Sequence, residues 1–105
     1  MKTKSITILQ LNEDMKETRY ISFSNLDFVN KLGIELKKDF YLPVYSAEIN
    51  SDESDIDKFL EEVFATLQFE KPEGYKGHSL SVSDVVEVDG VPYYVDDYGF
   101  KQIQY

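Results

Sequence analysis

From Ser5 to Leu11 the apolar positions alternate, with Ile6 and Ile8 on one face and Leu9 and Leu11 on the other, which predicts a strand. The polar run from Asn12 to Lys16 predicts a turn. Thr18 to Phe23, rich in β-branched and aromatic residues, then predicts a returning strand. Ser24 reads as the cap of a short helix over about residues 25–32. Asp27 follows three positions on, Leu26, Val29 and Leu32 form the apolar stripe, and Gly33 ends it. Tyr41 to Ile49 alternates again, placing Tyr41, Tyr45, Ala47 and Ile49 on one face, and Pro43 marks an edge strand.

The strongest helical pattern covers about residues 55–68. Ile56, Phe59, Leu60, Val63, Phe64 and Leu67 recur at helical spacing, so this stripe must pack on the sheet. Ser54 is the expected N-cap, and Asp55 and Asp57 suit the positive end of the helix dipole. Asp57 and Glu61 repel by a few tenths of a kcal/mol at i, i+4. Burying each stripe residue returns roughly 1.5–3 kcal/mol, so the acidic outer face is easily tolerated. Lys71-Pro72-Glu73-Gly74 breaks the helix. A hairpin follows around Asp89-Gly90, a pair suited to a two-residue type I′ turn, which sets Val88 opposite Val91, Val86 opposite Tyr93 and Val85 opposite Tyr94. Pro92 marks its second strand as a further edge. The expected fold is α+β: a mostly antiparallel sheet, one strong amphipathic helix, one short helix and a C-terminal hairpin, in a single domain spanning residues 1–105.

Composition narrows the chemistry. The 105 residues include no cysteine, which removes disulfides, thiolate metal sites and a cysteine nucleophile, and a single histidine, His78, makes no metal cluster. No stretch reads as a signal peptide or membrane span, so the expectation is a cytoplasmic protein with no membrane partner. The net charge is −9, and it is uneven: residues 1–47 sum to +1 and residues 48–105 to −10. Such a split can generate one face of negative potential, although a solvated acidic surface that only aids solubility explains the same count. Direct nucleic-acid binding is disfavoured by the same charge.

Three constellations invite a catalytic or metal reading. His78 with Ser79, Ser81 or Ser83 and Asp84 or Asp96 has the residue types of a Ser–His–Asp triad, but the strand-turn-helix elbow is missing and near neighbours in one strand converge poorly. Asn50, Asp52, Ser54 and Glu61 fall at calcium-loop positions, but Asp55 stands where the loop needs glycine, and an acid-rich helix cap explains the same residues. Asp96-Asp97 and Glu61-Glu62 are carboxylate pairs, yet neighbours in a strand point to opposite faces. No enzyme activity, cofactor or metal is expected.

The run Gly77-His78-Ser79-Leu80-Ser81-Val82-Ser83-Asp84-Val85-Val86, with Tyr94-Val95-Asp96 and Gly99-Phe100 downstream, resembles the YodL-like domain family. The resemblance covers nearly the whole chain. It implies a setting rather than a chemistry: proteins of bacterial mobile elements that sit beside antirestriction modules. Physically, Gly77 allows an unusual backbone conformation or a close approach, the serines can satisfy loop backbone groups, and Asp84 can cap a turn or bond the His78 ring. On this reading Gly77, His78, Ser79, Ser81, Ser83 and Asp84 form a structural corner feeding the hairpin.

The functional expectation is a non-enzymatic binding protein of a mobile element. Its acidic surface would engage a basic, nucleic-acid-handling host protein by mimicking phosphate charge, with Asp55, Asp57, Glu61, Glu62, Asp96, Asp97, Tyr94 and Tyr98 as contacts. The alternative is a scaffolding domain that binds a partner through an exposed strand edge, at Tyr41–Tyr45 or Pro92–Asp97.

Overall fold

The computed structural model describes residues 2–105. Its elements run β1 (Lys2–Leu11), α1 (Lys16–Arg19), α2 (Leu26–Lys31), a 3-10 turn (Lys38–Phe40), β2 (Tyr41–Ser51), α3 (Ile56–Phe69), β3 (Val85–Val88), β4 (Val91–Val95) and β5 (Phe100–Gln102). The five strands form one antiparallel sheet in the order β2-β1-β3-β4-β5, so the α+β expectation holds. The hairpin has the register its turn predicts, and Asp89 (φ 50°) and Gly90 (φ 84°) both adopt the positive φ that a type I′ turn requires.

Both faces of the sheet are covered. On one, Ile6 and Ile8 of β1, Val86 and Val88 of β3 and Val95 of β4 pack against Phe59, Leu60, Val63 and Leu67 of α3. On the other, Leu9, Val85 and Tyr94 pack against Ile21, Val29, Leu36, Phe40 and Tyr41. Two-sided burial explains why β3 and β4 read as near-continuous apolar runs.

Four local expectations change. Thr18 to Phe23 is not a strand. The Thr18 hydroxyl donates to the carbonyls of Asn12 and Met15, which folds the segment into α1 and turns and overrides its β propensity. The caps shift by one residue: Asn25, not Ser24, accepts from the Phe28 N–H (2.8 Å), and Asp55, not Ser54, accepts from Asp57 and Lys58 N–H. Gly33 (φ 71°) does end α2, but Leu32 of the expected stripe is exposed. Finally, β4 is not an edge, because β5 pairs with Tyr93–Val95 and Pro92 lies one residue beyond the last pair.

The most consequential irregularity lies in β2. Ile8 pairs with Tyr45 and Leu9 with Pro43, so Val44 is an extra residue, a β-bulge. The bulge switches faces: Tyr41 joins the cluster beneath α2, whereas Tyr45, Ala47 and Ile49 pack toward α3. The expectation that Tyr41 shares their face is therefore corrected. The Val44 carbonyl accepts from Lys76 N–H (2.9 Å), which docks the loop carrying Gly77 and His78 onto the sheet.

Candidate functional site

Gln10 occupies a position on β1 where the Ile6–Ile8 alternation demands an apolar side chain, and it is buried. Its amide donates to the His78 carbonyl (2.8 Å) and to Asp84 Oδ2 (3.1 Å), and its Oε1 accepts from His78 N–H (3.2 Å). Tyr75 Oη lies 3.3 Å from the same amide nitrogen. One glutamine thus ties the loop of residues 75–78 to the turn of residues 81–84. Gly77 is needed for close approach and not for an unusual φ: a Cβ there would sit 2.0 Å from Gln10 Oε1 and 3.0 Å from Val44 Cγ1.

Asp84 is 1% exposed and also accepts from Ser81 N–H (2.9 Å), closing the turn that leads into β3. Burial pushes its carboxyl up to about 8, against the lowering effect of the bonds from Ser81 and Gln10. Burial likewise raises Tyr75 to about 12 and raises the Tyr41 and Tyr94 phenols. His78 is 42% exposed. Its Nδ1 donates to the Ser79 carbonyl (2.8 Å), and its Nε2 faces Asp84 Oδ1 at 3.8 Å. Both ring nitrogens therefore point at the protein itself. The serines behave similarly: Ser81 Oγ donates to the Ser79 carbonyl, and Ser83 Oγ accepts from Phe23 N–H (2.9 Å). No serine hydroxyl is bonded to His78 among the described residues, so the triad geometry is not assembled.

Ser83 and Phe23 carry positive φ values of 83° and 60°, conformations that cost non-glycine residues free energy. They are held by each other and by Tyr41 Oη, which donates to the Ser83 carbonyl (3.0 Å), and the Phe23 ring lies 5.2 Å from the His78 ring. The signature is a corner where β1, the bulge of β2, the α1–α2 segment and the start of β3 are joined by side-chain bonds. Sequence reasoning missed Gln10, Tyr75, Tyr41 and Phe23. Of these, only Gln10 carried a signal, a polar residue at a core-face position of a strand.

The residues expected to contact a partner divide into several groups. Glu61 of α3 meets Asp96 and Asp97, just beyond β4, at one hollow of about 230 Å³ that also includes Phe64, Val82 and Phe100. Asp96 and Asp97 thus share a hollow instead of pointing apart, because they lie in the turn to β5 and not within a strand. Both also hold α2: Asp96 Oδ1 accepts from Leu26 N–H (3.2 Å) and Asp97 Oδ2 from Asn25 Nδ2 (3.0 Å). The Asn25 bond is the leading influence lowering the Asp97 carboxyl. Tyr98, in the same turn, is 88% exposed. Glu62 lines a different groove, on the β2 side of α3. Asp55 caps α3, and Asp57 is exposed one turn before Glu61. Tyr94 is corrected outright: it is fully buried, and its hydroxyl donates to the Ser24 carbonyl (2.6 Å). Among the described residues no helix is long and apolar enough to cross a membrane. Of the calcium-loop positions, Asn50 Oδ1 accepts from the Thr3 hydroxyl, and Asp55, which stands where the loop needs glycine, caps α3.

No curated protein and no solved structure matches the chain. The family model of the YodL-like domain does, over residues 5–105, an interval that takes in the sheet except the first three residues of β1, the Gln10–Asp84 corner and the acidic hollow. By that match, the chain belongs to the YodL-like domain family.

Proposed function

We propose that this chain is a non-enzymatic binding protein of the cytoplasm whose acidic surface engages a basic partner protein. The observation that supports this reading is the hollow at which Glu61 meets Asp96 and Asp97, with Phe64, Val82, Val95 and Phe100 contributing apolar surface. Acidic residues lining a hollow with apolar surface suit an arginine or lysine side chain, whose stem packs on the aromatic rings while its head pairs with Glu61. Glu61 is exposed and lies 35 positions before Asp96, and the tertiary fold sets both residues at one hollow. The finer form of the proposal, a mobile-element protein that mimics phosphate charge against a nucleic-acid-handling host protein, names one partner of that chemistry and rests on the family's setting.

Capture from bacterial lysate at low and at high salt, with mass spectrometry of the retained proteins, identifies the partner. The captured protein should be basic and lost as salt rises. Asp57→Asn with Glu61→Gln should then weaken its binding by about tenfold, roughly 1.4 kcal/mol. Glu70→Gln with Glu73→Gln, which removes the same charge elsewhere, should change it less than twofold. Equal losses from both pairs would show that bulk charge, and not the hollow, is recognised.

A further inference from the structure

A second surface lies on the other side of α3. The outer edge of β2 closes the sheet on that side, and its two halves differ. Over Tyr41–Val44 the edge is blunted by Pro43, the bulge and the bond from Lys76 N–H to the Val44 carbonyl. From Tyr45 to Ser51, among the described residues, no backbone group is bonded on the side away from β1. That half leaves a row of unpaired donors and acceptors of the kind that templates another strand. Beside it runs an apolar groove of about 280 Å³ between β2 and α3, with Tyr45 and Ile49 on one wall, Phe59, Val63 and Thr66 on the other, and Ile6 beneath. Ala47 and Ile49 pack against the core yet are only half-buried.

We infer that this edge and groove take an extended segment of a partner protein, added as a sixth strand antiparallel or parallel to β2. The open edge requires an extended occupant, since only a strand satisfies regularly spaced donors and acceptors. The groove requires alternate apolar side chains on the face toward α3. The charge selects lysine or arginine among the others: Glu48 is exposed on the face of β2 opposite the groove, where those side chains lie. A second copy of this chain fits poorly, because antiparallel pairing of the open half with itself would set Glu48 near its equivalent in a protein of net charge −9. This surface is separate from the acidic hollow and stands independently of it.

The probe is a pool of acetylated, amidated heptapeptides with Val, Ile or Leu at odd positions and Thr, Lys or Arg at even ones. It is titrated into the intact protein while backbone amides are followed by NMR. The expected result is binding at sub-millimolar concentration, with the largest shifts and new exchange protection at Tyr45–Ser51. Alternate N-methylation of the best peptide should weaken it at least tenfold. Thr66→Trp, at an exposed position on the groove wall, should do the same while shifting amides of the free protein only around the groove. Glu48→Lys should reverse the preference for lysine over threonine at the neighbouring even peptide position. No binding up to about 1 mM, indifference to N-methylation, shifts centred on Glu61 and Asp96, or a β2-mediated homodimer in sedimentation would each overturn the inference.

Discussion

Gln10 shows how one side chain organises a region. It is a polar residue in a strand that otherwise buries isoleucine, and it is retained because every donor and acceptor on its amide finds a partner in the His78–Asp84 corner. Gly77 is fixed by the same contact. Gly77→Ala should destabilise the protein by roughly 1–3 kcal/mol in urea unfolding, because the added methyl meets an oxygen held by the His78 N–H and not a free side-chain end. Asp84 gives a pH prediction. Its folded value, about 8, lies above its unfolded one, so between about pH 4 and pH 8 the native state keeps a proton that the unfolded chain has released. That contribution is complete below the window and is lost as pH rises through it. Relative to Asp84→Asn, the wild type should lose stability between pH 5 and pH 9, on the order of 3 kcal/mol, measured by urea midpoints at each pH. The glycine and the acid of this corner could be recognised from the sequence motif. Their shared partner could not, because Gln10 lies 74 positions before Asp84 and is brought to it only by sheet pairing.

Among the elements, α3 and the hairpin were the most legible, because their signals are local: a helical stripe with a breaker after it, and a turn dipeptide with matched flanks. The cap of α3 tests how fine that legibility is. Asp55→Ala should cost about 1 kcal/mol, whereas Ser54→Ala should fall within about 0.5 kcal/mol, both read from thermal or urea unfolding. The segment from Thr18 to Phe23 misled because its composition favours a strand, while the Thr18 hydroxyl and the burial of Ile21 stabilise a tight turn. The alternation in β2 misled for a different reason. A bulge adds one residue without altering composition, so the face of Tyr41 cannot be read until Leu9 and Ile8 are paired. Pro92 misled too: its strand has neighbours on both sides, and the proline falls where β5 runs out.

At the scale of the molecule, the excess of acid is spread over several surfaces with different roles. Asp84 is buried, Asp89 Oδ1 accepts from Ser5 N–H, Glu87 accepts from Tyr105, and Asp96 with Asp97 holds α2 while bordering the hollow. Even so, a net charge of −9 on 105 residues is self-repulsive. Raising sodium chloride from 20 to 500 mM should lift the thermal midpoint by a few degrees, on the order of 1 kcal/mol, in a buffer of constant pH. The sequence by itself determined the α+β class, the antiparallel hairpin and its register, the main helix and the acidic bias of the C-terminal half. Each of these depends on periodicity, a turn pair or a count, quantities carried by residues close together in the chain. Only the tertiary structure decided that both faces of the sheet are covered and that Tyr94 is buried. It also decided that Glu61 meets Asp96, and that β2 offers an open edge beside a groove. These depend on which strands become neighbours, and that is settled when long loops close and the whole core packs at once.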